Sequence, residues 1–317
     1  MFAIQITTLD GPEAVEFNEI PDLIDEDSII IEVKAAGVAF PELLQTRGLY
    51  QTKPELPFVP GAEVSGVVRS APAGSAFQQG DRVASLCLLG GFGEQVAAKE
   101  ELTFRLPENV SFEEGAAFLF NYCTVHFALV ERGGLRSGET VLVQGAAGGI
   151  GTAAIQVAKA FGAARVIGVA STDEKAAIAK DAGADEVVSA EGFFESVGRN
   201  TVDVVVDPVG GDRFTDSLRM LRAHGRHLVI GFTAGEIPTV KVNRLLLNNI
   251  SVVGVGWGAY ALQRPGYIAE QWTELQPHLA SGALRPLLGP VFSLQQAADA
   301  LSTLEQRTAA GKVLLTP

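Results

Sequence analysis

Short apolar runs punctuated by turn residues fill the first hundred or so positions. AIQIT (3–7), AVEFNEI (14–20) and SIIIEVKAAGV (28–38) alternate apolar with polar residues or cluster β-branched ones, and DGPE and PDLIDED separate them. EVSGVVRSA, DRVASLCLL and GEQVAAKEELTFRL follow between glycine turns, so this part predicts a small β-rich barrel or sandwich. From about residue 138 the rhythm changes to strand TVLVQG, a helix near 149–162, strand RVIGVA, helix DEKAAIAKDAG, strands EVVS and DVVVDPV, helix GDRFTDSLRML and strand RHLVIG. That is βαβ repetition around a buried parallel sheet. A further strand, ISVVGVGW, leads to RPGYIAEQWTELQPHLASG, predicted helical, then to QQAADALSTLEQR and a last strand in GKVLLTP. The parallel sheet already has its six strands, so the tail is expected to return to the first domain.

Between TVLVQG and its helix lies GAAGGIG, spaced Gly145-x-x-Gly148-x-x-Gly151 or, equivalently, Ala146-x-Gly148-x-x-Gly151. This is the dinucleotide fingerprint with alanine at its first small position. Gly148 lets a pyrophosphate approach the main chain, Gly151 lets helix and strand pack closely, and the amides at the helix start, Gly149 and Ile150, favour anionic oxygens. Alone, the spacing also describes a tight structural turn; after a strand, before a long helix and among several βαβ units, it points to a dinucleotide.

The tip of the next strand, Ala170-Ser171-Thr172, lacks the acid that accepts from the ribose 2′-hydroxyl in NAD binders, whereas a 2′-phosphate needs hydroxyls and cations. Ser171 can donate to such a phosphate, and Lys175 lies four residues on, on the same helix face. In the competing reading Ser171 or Thr172 only caps the helix and Lys175 is solvated; Asp173 or Glu174 turned inward would favour NAD. NADPH is the expected cofactor and NADH the second choice. VIGFTAG (229–235) puts a strand end and a glycine at the carboxyl edge of the sheet, which makes the backbone of Gly231, Phe232 and Thr233 candidates for the carboxamide. Val209 and Gly210 in DPVGGDRF are candidates for the adenosine half, or for tight packing at a strand-to-helix turn.

With 317 residues, 47% hydrophobic and 19% charged, the chain is long and apolar enough for two packed domains. Its net charge of -13 opposes phosphate backbones and anionic lipid, so neither nucleic acid nor membrane is an expected partner. MFAIQITTLDGPEAVEF has no basic stretch leading into an apolar helix, and no run of about 18 apolar residues occurs. Cys87 and Cys123 lack a Cys-x-x-Cys spacing and read as small buried thiols, which fits a reducing cytoplasm.

GAAFLFNYCTVHFAL, LPFVPGAEVSGVV, GDRVA, GADEVV, VDVVVDPVGGDRF and GKVLL accompany the glycine loop. With them the chain resembles, over essentially its whole length, the zinc-free quinone oxidoreductases of the medium-chain dehydrogenase/reductase superfamily. The resemblance implies an α/β fold: a GroES-like β-rich catalytic domain from residues 1–122 and 265–317, a Rossmann doubly wound parallel sheet from 123–264, and a cleft between them. It implies a homodimer through the strand near 250–256. It implies cofactor contacts from Thr124, from backbone around Val255 and Gly256, and from the Lys312 side chain. Thr124 otherwise reads as a helix-interior threonine bonding back to its own carbonyl ladder, and Lys312 as a surface lysine. His126 reads as a core histidine or a proton donor.

VAFPELLQTRGLYQ resembles the family's first active-site loop, with Ala39 in place of the usual asparagine. Tyr50 stands at the position lining the substrate cavity, where its ring can stack on a flat acceptor and its hydroxyl can donate to a developing oxyanion; otherwise it is an aromatic packed at a loop end. Phe40 walls the pocket. Glu42 orients a water or simply faces solvent. In the zinc branch of the superfamily the matching places hold a cysteine and the histidine of Gly-His-Glu, where this chain has Gly37-Val38-Ala39-Phe40 and Gly61-Ala62-Glu63. His126, His224, His227 and His278 show no ligand spacing, so no zinc is expected.

Without a Lewis acid an alkoxide is hard to generate, whereas a conjugated acceptor spreads hydride charge to a distant oxygen that needs only hydrogen-bond donors or water. The leading expectation is NADPH-dependent reduction of a quinone or other conjugated carbonyl, a small electron-poor acceptor, with Tyr50 and Thr124 as catalytic side chains. An enoyl-thioester or alkenal reductase keeps the hydride chemistry. A nucleotide-binding interaction protein with little turnover is the alternative from another class.

Overall fold

The structure, a computed structural model, describes residues 1–317. In chain order its elements begin with β1 (Phe2–Ile6), β2 (Val15–Glu19), β3 (Ile29–Val38), α1 (Phe40–Thr46), β4 (Glu63–Ser70), β5 (Arg82–Leu86), β6 (Gln95–Ala98), β7 (Thr103–Arg105), α2 (Phe112–Ala116) and α3 (Leu119–His126). Then come β8 (Thr140–Val143), α4 (Gly149–Ala160), β9 (Arg165–Ala170), α5 (Asp173–Asp181), β10 (Glu186–Ser189), α6 (Phe193–Val197), β11 (Val202–Asp207), α7 (Arg213–Met220) and β12 (Leu221–Val229). The chain ends with α8 (Asn243–Asn248), β13 (Ser251–Gly254), α9 (Trp257–Ala261), α10 (Tyr267–Ser281), β14 (Leu288–Ser293), α11 (Ala297–Glu305) and β15 (Lys312–Thr316). Two compact units result: Met1–Phe120 with Gly266–Ala280 and Pro286–Pro317, and Asn121–Pro265 with Ser281–Arg285.

In the first unit, β1 and β2 pair antiparallel, and the remaining strands form a sheet in the order β14-β15-β3-β4-β5-β7, with β6 on β3. β3 is long enough to use one edge twice: residues 29–32 pair with β6 and 36–38 with β15, while β4 takes the other edge. The half-edge left by the short β6 is where the C-terminal strand docks, as the apolar GKVLLTP leads one to expect. Ile29, Ile31, Val33, Val64, Phe92 and Val96 meet Val313 and Leu315 in one buried core.

In the second unit, six parallel strands run β10-β9-β8-β11-β12-β13. The chain winds outward from β8 to β10, then returns to β11 on the other side, so strand order reverses between β8 and β11. Loops at the carboxyl ends of these two strands therefore diverge and leave room for a ligand. β8 is wholly buried, as a central strand covered on both faces must be. Alanines at 153, 154 and 158, with Ile155 and Val157, let α4 lie close to the sheet. No helix is long and apolar enough to cross a membrane. Together the units make the expected α/β architecture: a β-rich unit built from both chain ends, and a doubly wound parallel sheet.

Candidate active site

In the second unit, the dinucleotide candidates collect at one edge of the sheet. The loop 144–148 follows β8, Ser171 follows β9, Val209 and Gly210 follow β11, Gly231, Phe232 and Thr233 follow β12, and Val255 and Gly256 follow β13. These loops are laced together: Ala146 N donates to Val169 O at 3.1 Å, Thr233 N to Pro208 O at 3.2 Å, Ala234 N to Val209 O at 2.9 Å and Val255 N to Val229 O at 2.9 Å. A methyl group at Gly145 would meet Val209 Cγ2 at 3.0 Å, so the glycine loop and the loop after β11 already touch. Gly148 caps α4, and the first-turn amides of Gly149, Ile150 and Gly151 have no acceptor within the helix. With space beside Gly148 and amides at a helix start, these residues fit a dinucleotide pyrophosphate.

Ser171 is exposed at the end of β9, and the helix cap falls to its neighbour: Thr172 Oγ1 accepts from Lys175 N at 3.2 Å. Thr124 is buried on α3, one helical turn beyond Asn121. Asn121 is a residue that sequence reasoning missed. Its side-chain nitrogen lies 2.6 Å from where a Gly149 methyl would stand, so an amide packs directly on the glycine loop. His126 is buried, edge-on to Phe161 at 5.3 Å between centroids, the core alternative.

A second feature missed from sequence lies beneath these loops. Asp207 Oδ1 accepts the amides of Val209 at 2.8 Å and Gly210 at 2.9 Å, and its Oδ2 pairs with His227 Nε2 at 2.9 Å. Burial resists ionisation of Asp207, but the His227 hydrogen bond and the two amides bring its carboxyl below the ordinary range. Both side chains are buried, on neighbouring strands, so the pair braces the β11 loop from inside the sheet. β11 also carries Asp203, and β12 carries Arg222, His224 and Arg226, so the sequence held no distinct signal for this pair.

In the first unit, the stretch read as an active-site loop is helical from Phe40, with Pro41 in the first turn and Ala39 N bonded to Glu42 Oε2 at 2.9 Å. Phe40 packs partly into the core, and Tyr50 is half-buried just beyond α1. The solvent-facing reading of Glu42 is wrong. Glu42 is 1% exposed, and its Oε1 accepts from Ala62 N at 3.0 Å, so one carboxyl ties α1 to the strand entry at 62. A surface Lys312 is likewise wrong: it is 4% exposed and its ammonium is bonded to Glu63 Oε1. Glu63 Oε2 accepts from Phe120 N at 2.9 Å, and the Lys312 ammonium lies 5.8 Å from the Phe120 ring centroid. Gly37 makes room: a methyl there would come within 2.7 Å of both Glu63 Oε1 and Lys312 Cε. Cys87 Sγ donates to Gly61 O at 3.3 Å.

No cluster of three or more His, Cys, Asp or Glu side chains is arranged to hold a metal ion. The donor set does not suit zinc, because Ala39 and Ala62 present methyl groups and the nearby carboxyls are committed to amides and to an ammonium.

Profiles described as "Alcohol dehydrogenase GroES-like domain" and "Zinc-binding dehydrogenase" match residues 25–108 and 149–276. Quinone oxidoreductase-like protein 2 of Rattus norvegicus is 39% identical over 303 residues, 93% of this chain and 87% of the relative. A probable oxidoreductase from Mycobacterium abscessus is 42% identical with a TM-score of 0.90, covering 100% of this chain and 99% of that one. The quinone oxidoreductase of Thermus thermophilus, solved also as its NADPH complex, is 36% identical with a TM-score of 0.86 over 100% of both chains. The chain belongs to the quinone oxidoreductase family of the medium-chain dehydrogenase/reductase superfamily.

Proposed function

We propose that the protein reduces a quinone or other conjugated carbonyl with NADPH and without zinc. NADPH supplies the hydride; the chain holds it and answers the charge that develops. The observation that carries this reading is the gathering of the glycine cradle, Ser171 and the loops after β11, β12 and β13 at one sheet edge. In this reading Gly148, Gly149 and Ile150 bind the pyrophosphate, Ser171 and Lys175 the 2′-phosphate, and Val209 the adenosine side. Gly231, Phe232, Thr233, Val255, Gly256 and Thr124 serve the nicotinamide side. Phe40 and Tyr50 receive the acceptor, and the Tyr50 hydroxyl donates to its oxygen, the task a metal would otherwise perform. The NADPH complex of the T. thermophilus relative supports the cofactor, and the names of the relatives support the acceptor class.

Ser171→Ala and Lys175→Ala are each expected to weaken NADPH binding about tenfold, the loss of one hydrogen bond to a charged group, and to leave NADH unchanged. Titration by nucleotide fluorescence checks this; equal affinities for both nucleotides, unmoved by either substitution, would remove the NADP assignment. Naphthoquinone, crotonyl-thioester and hexenal acceptors separate the reductase classes, and no turnover with any of them sinks the reductase reading. We further propose a homodimer through β13, the outer strand of its sheet, near which Val242, Leu246 and Leu247 are exposed. A sedimentation mass of one chain would refute it.

A further inference from the structure

α3 is buried over most of its length, yet its first turn carries an amide with no task inside the protein. Asn121 is 5% exposed, and neither its oxygen nor its nitrogen makes a hydrogen bond within the chain. A buried amide left unpaired costs free energy that an apolar residue of the same shape would not, so this residue type calls for a partner. The side chain points nitrogen first at the glycine loop: Nδ2 stands 2.6 Å from the place of a Gly149 methyl, with Cγ at 3.5 Å and Oδ1 at 3.7 Å. This contact also accounts for a glycine that the fingerprint does not require. Gly145, Gly148 and Gly151 satisfy the spacing, and at 149 any side chain would displace the amide.

The Asn121 N–H groups therefore sit at the start of α4, beside first-turn amides that have no acceptor in the helix. The neighbouring sequence offers no cation, since residues 140–158 include no lysine or arginine, and the Thr152 hydroxyl is turned back to Gly148 O at 3.1 Å. An anion at this helix start must be met by neutral N–H groups, and Asn121 adds a side chain to the backbone ones.

We propose that Asn121 is a cofactor-binding residue whose side-chain amide donates to the pyrophosphate of NADPH; the proposal rests on the reductase reading above and adds a ligand to it. At this depth a lysine would strand a charge whenever the nucleotide leaves, whereas a neutral amide costs less. NADPH and NADH share the pyrophosphate, so Asn121 contributes to affinity and not to the choice between them, unlike Ser171 and Lys175. Thr124 follows one turn later on α3, so a single helix serves the pyrophosphate with Asn121 and the nicotinamide side with Thr124.

Titrations with NADPH, NADH, ADP-ribose and 2′-AMP test this, beside melting curves of the nucleotide-free protein. Asn121→Leu keeps the shape and removes the donors. It is expected to bind NADPH, NADH and ADP-ribose about tenfold more weakly, the loss of one hydrogen bond to a charged group. Its affinity for 2′-AMP, which has no pyrophosphate, is expected to be that of the wild type, and its melting temperature no lower. Asn121→Asp can only accept, and its charge repels phosphate, so about a hundredfold loss is expected on the same three pyrophosphate ligands. Wild-type affinities in both variants overturn the proposal and leave the reductase reading intact. A loss on NADPH and NADH that spares ADP-ribose also overturns it, because the amide then serves the nicotinamide. So does weaker 2′-AMP binding with a lower melting temperature in Asn121→Leu, the mark of a packing role. A wild type that binds neither NADPH nor NADH overturns both.

Discussion

Lys312→Met is expected to destabilise the protein by about 3–5 kcal/mol, the range for removing one partner of a buried ion pair. The substitution conserves the stem's bulk and strands the Glu63 carboxylate, 1% exposed, with only the Phe120 amide as partner. No other cation takes its place, because Lys312 is the only ion-pair partner of Glu63. The double variant Lys312→Met, Glu63→Gln removes charge from both sides and is expected to recover most of the loss, since neutral replacements of a buried pair cost little. Urea midpoints of wild type, both single variants and the double variant at pH 8 check this. A Lys312→Met midpoint equal to that of the wild type would mean that the pair contributes nothing to stability.

This same cluster marks where reading the sequence stopped. The parallel sheet was legible because its strands are unbroken apolar runs at βαβ spacing, and the glycine loop because three glycines at fixed intervals have few other uses. The return of the tail followed from counting six strands in the sheet. Glu42 and Lys312 were not legible, since FPELLQ looks like an ordinary amphipathic stretch with an exposed acid. What buries them is long-range: Lys312 and Glu63 are 249 positions apart and meet only because β15 and β4 flank β3 on opposite edges. Asp207 and His227 were hidden for a related reason. Each side chain is buried, where a polar group is costly alone, and pairing across adjacent strands removes that cost.

Gly148→Ala and Gly151→Ala are expected to fail in opposite ways. At Gly151 a methyl would stand 2.8 Å from both Cα and the carbonyl carbon of Ala146, and closer still to Gly145 O. These are backbone atoms, so α4 must move off β8, at roughly 1–3 kcal/mol, and the first-turn amides move with it. Gly151→Ala is thus expected to lower the melting temperature and NADPH affinity together. At Gly148 the backbone is extended, φ -79° and ψ 172°, which alanine adopts freely, and the methyl would meet nothing closer than Gly145 O at 3.5 Å. Gly148→Ala is therefore expected to melt with the wild type yet bind NADPH at least tenfold more weakly, because its methyl occupies the space a pyrophosphate must enter. Melting curves with and without NADPH separate the two effects. If Gly148→Ala binds the nucleotide as tightly as the wild type does, the phosphate does not approach the chain at this glycine, and the cradle assigned to residues 145–151 is the wrong one.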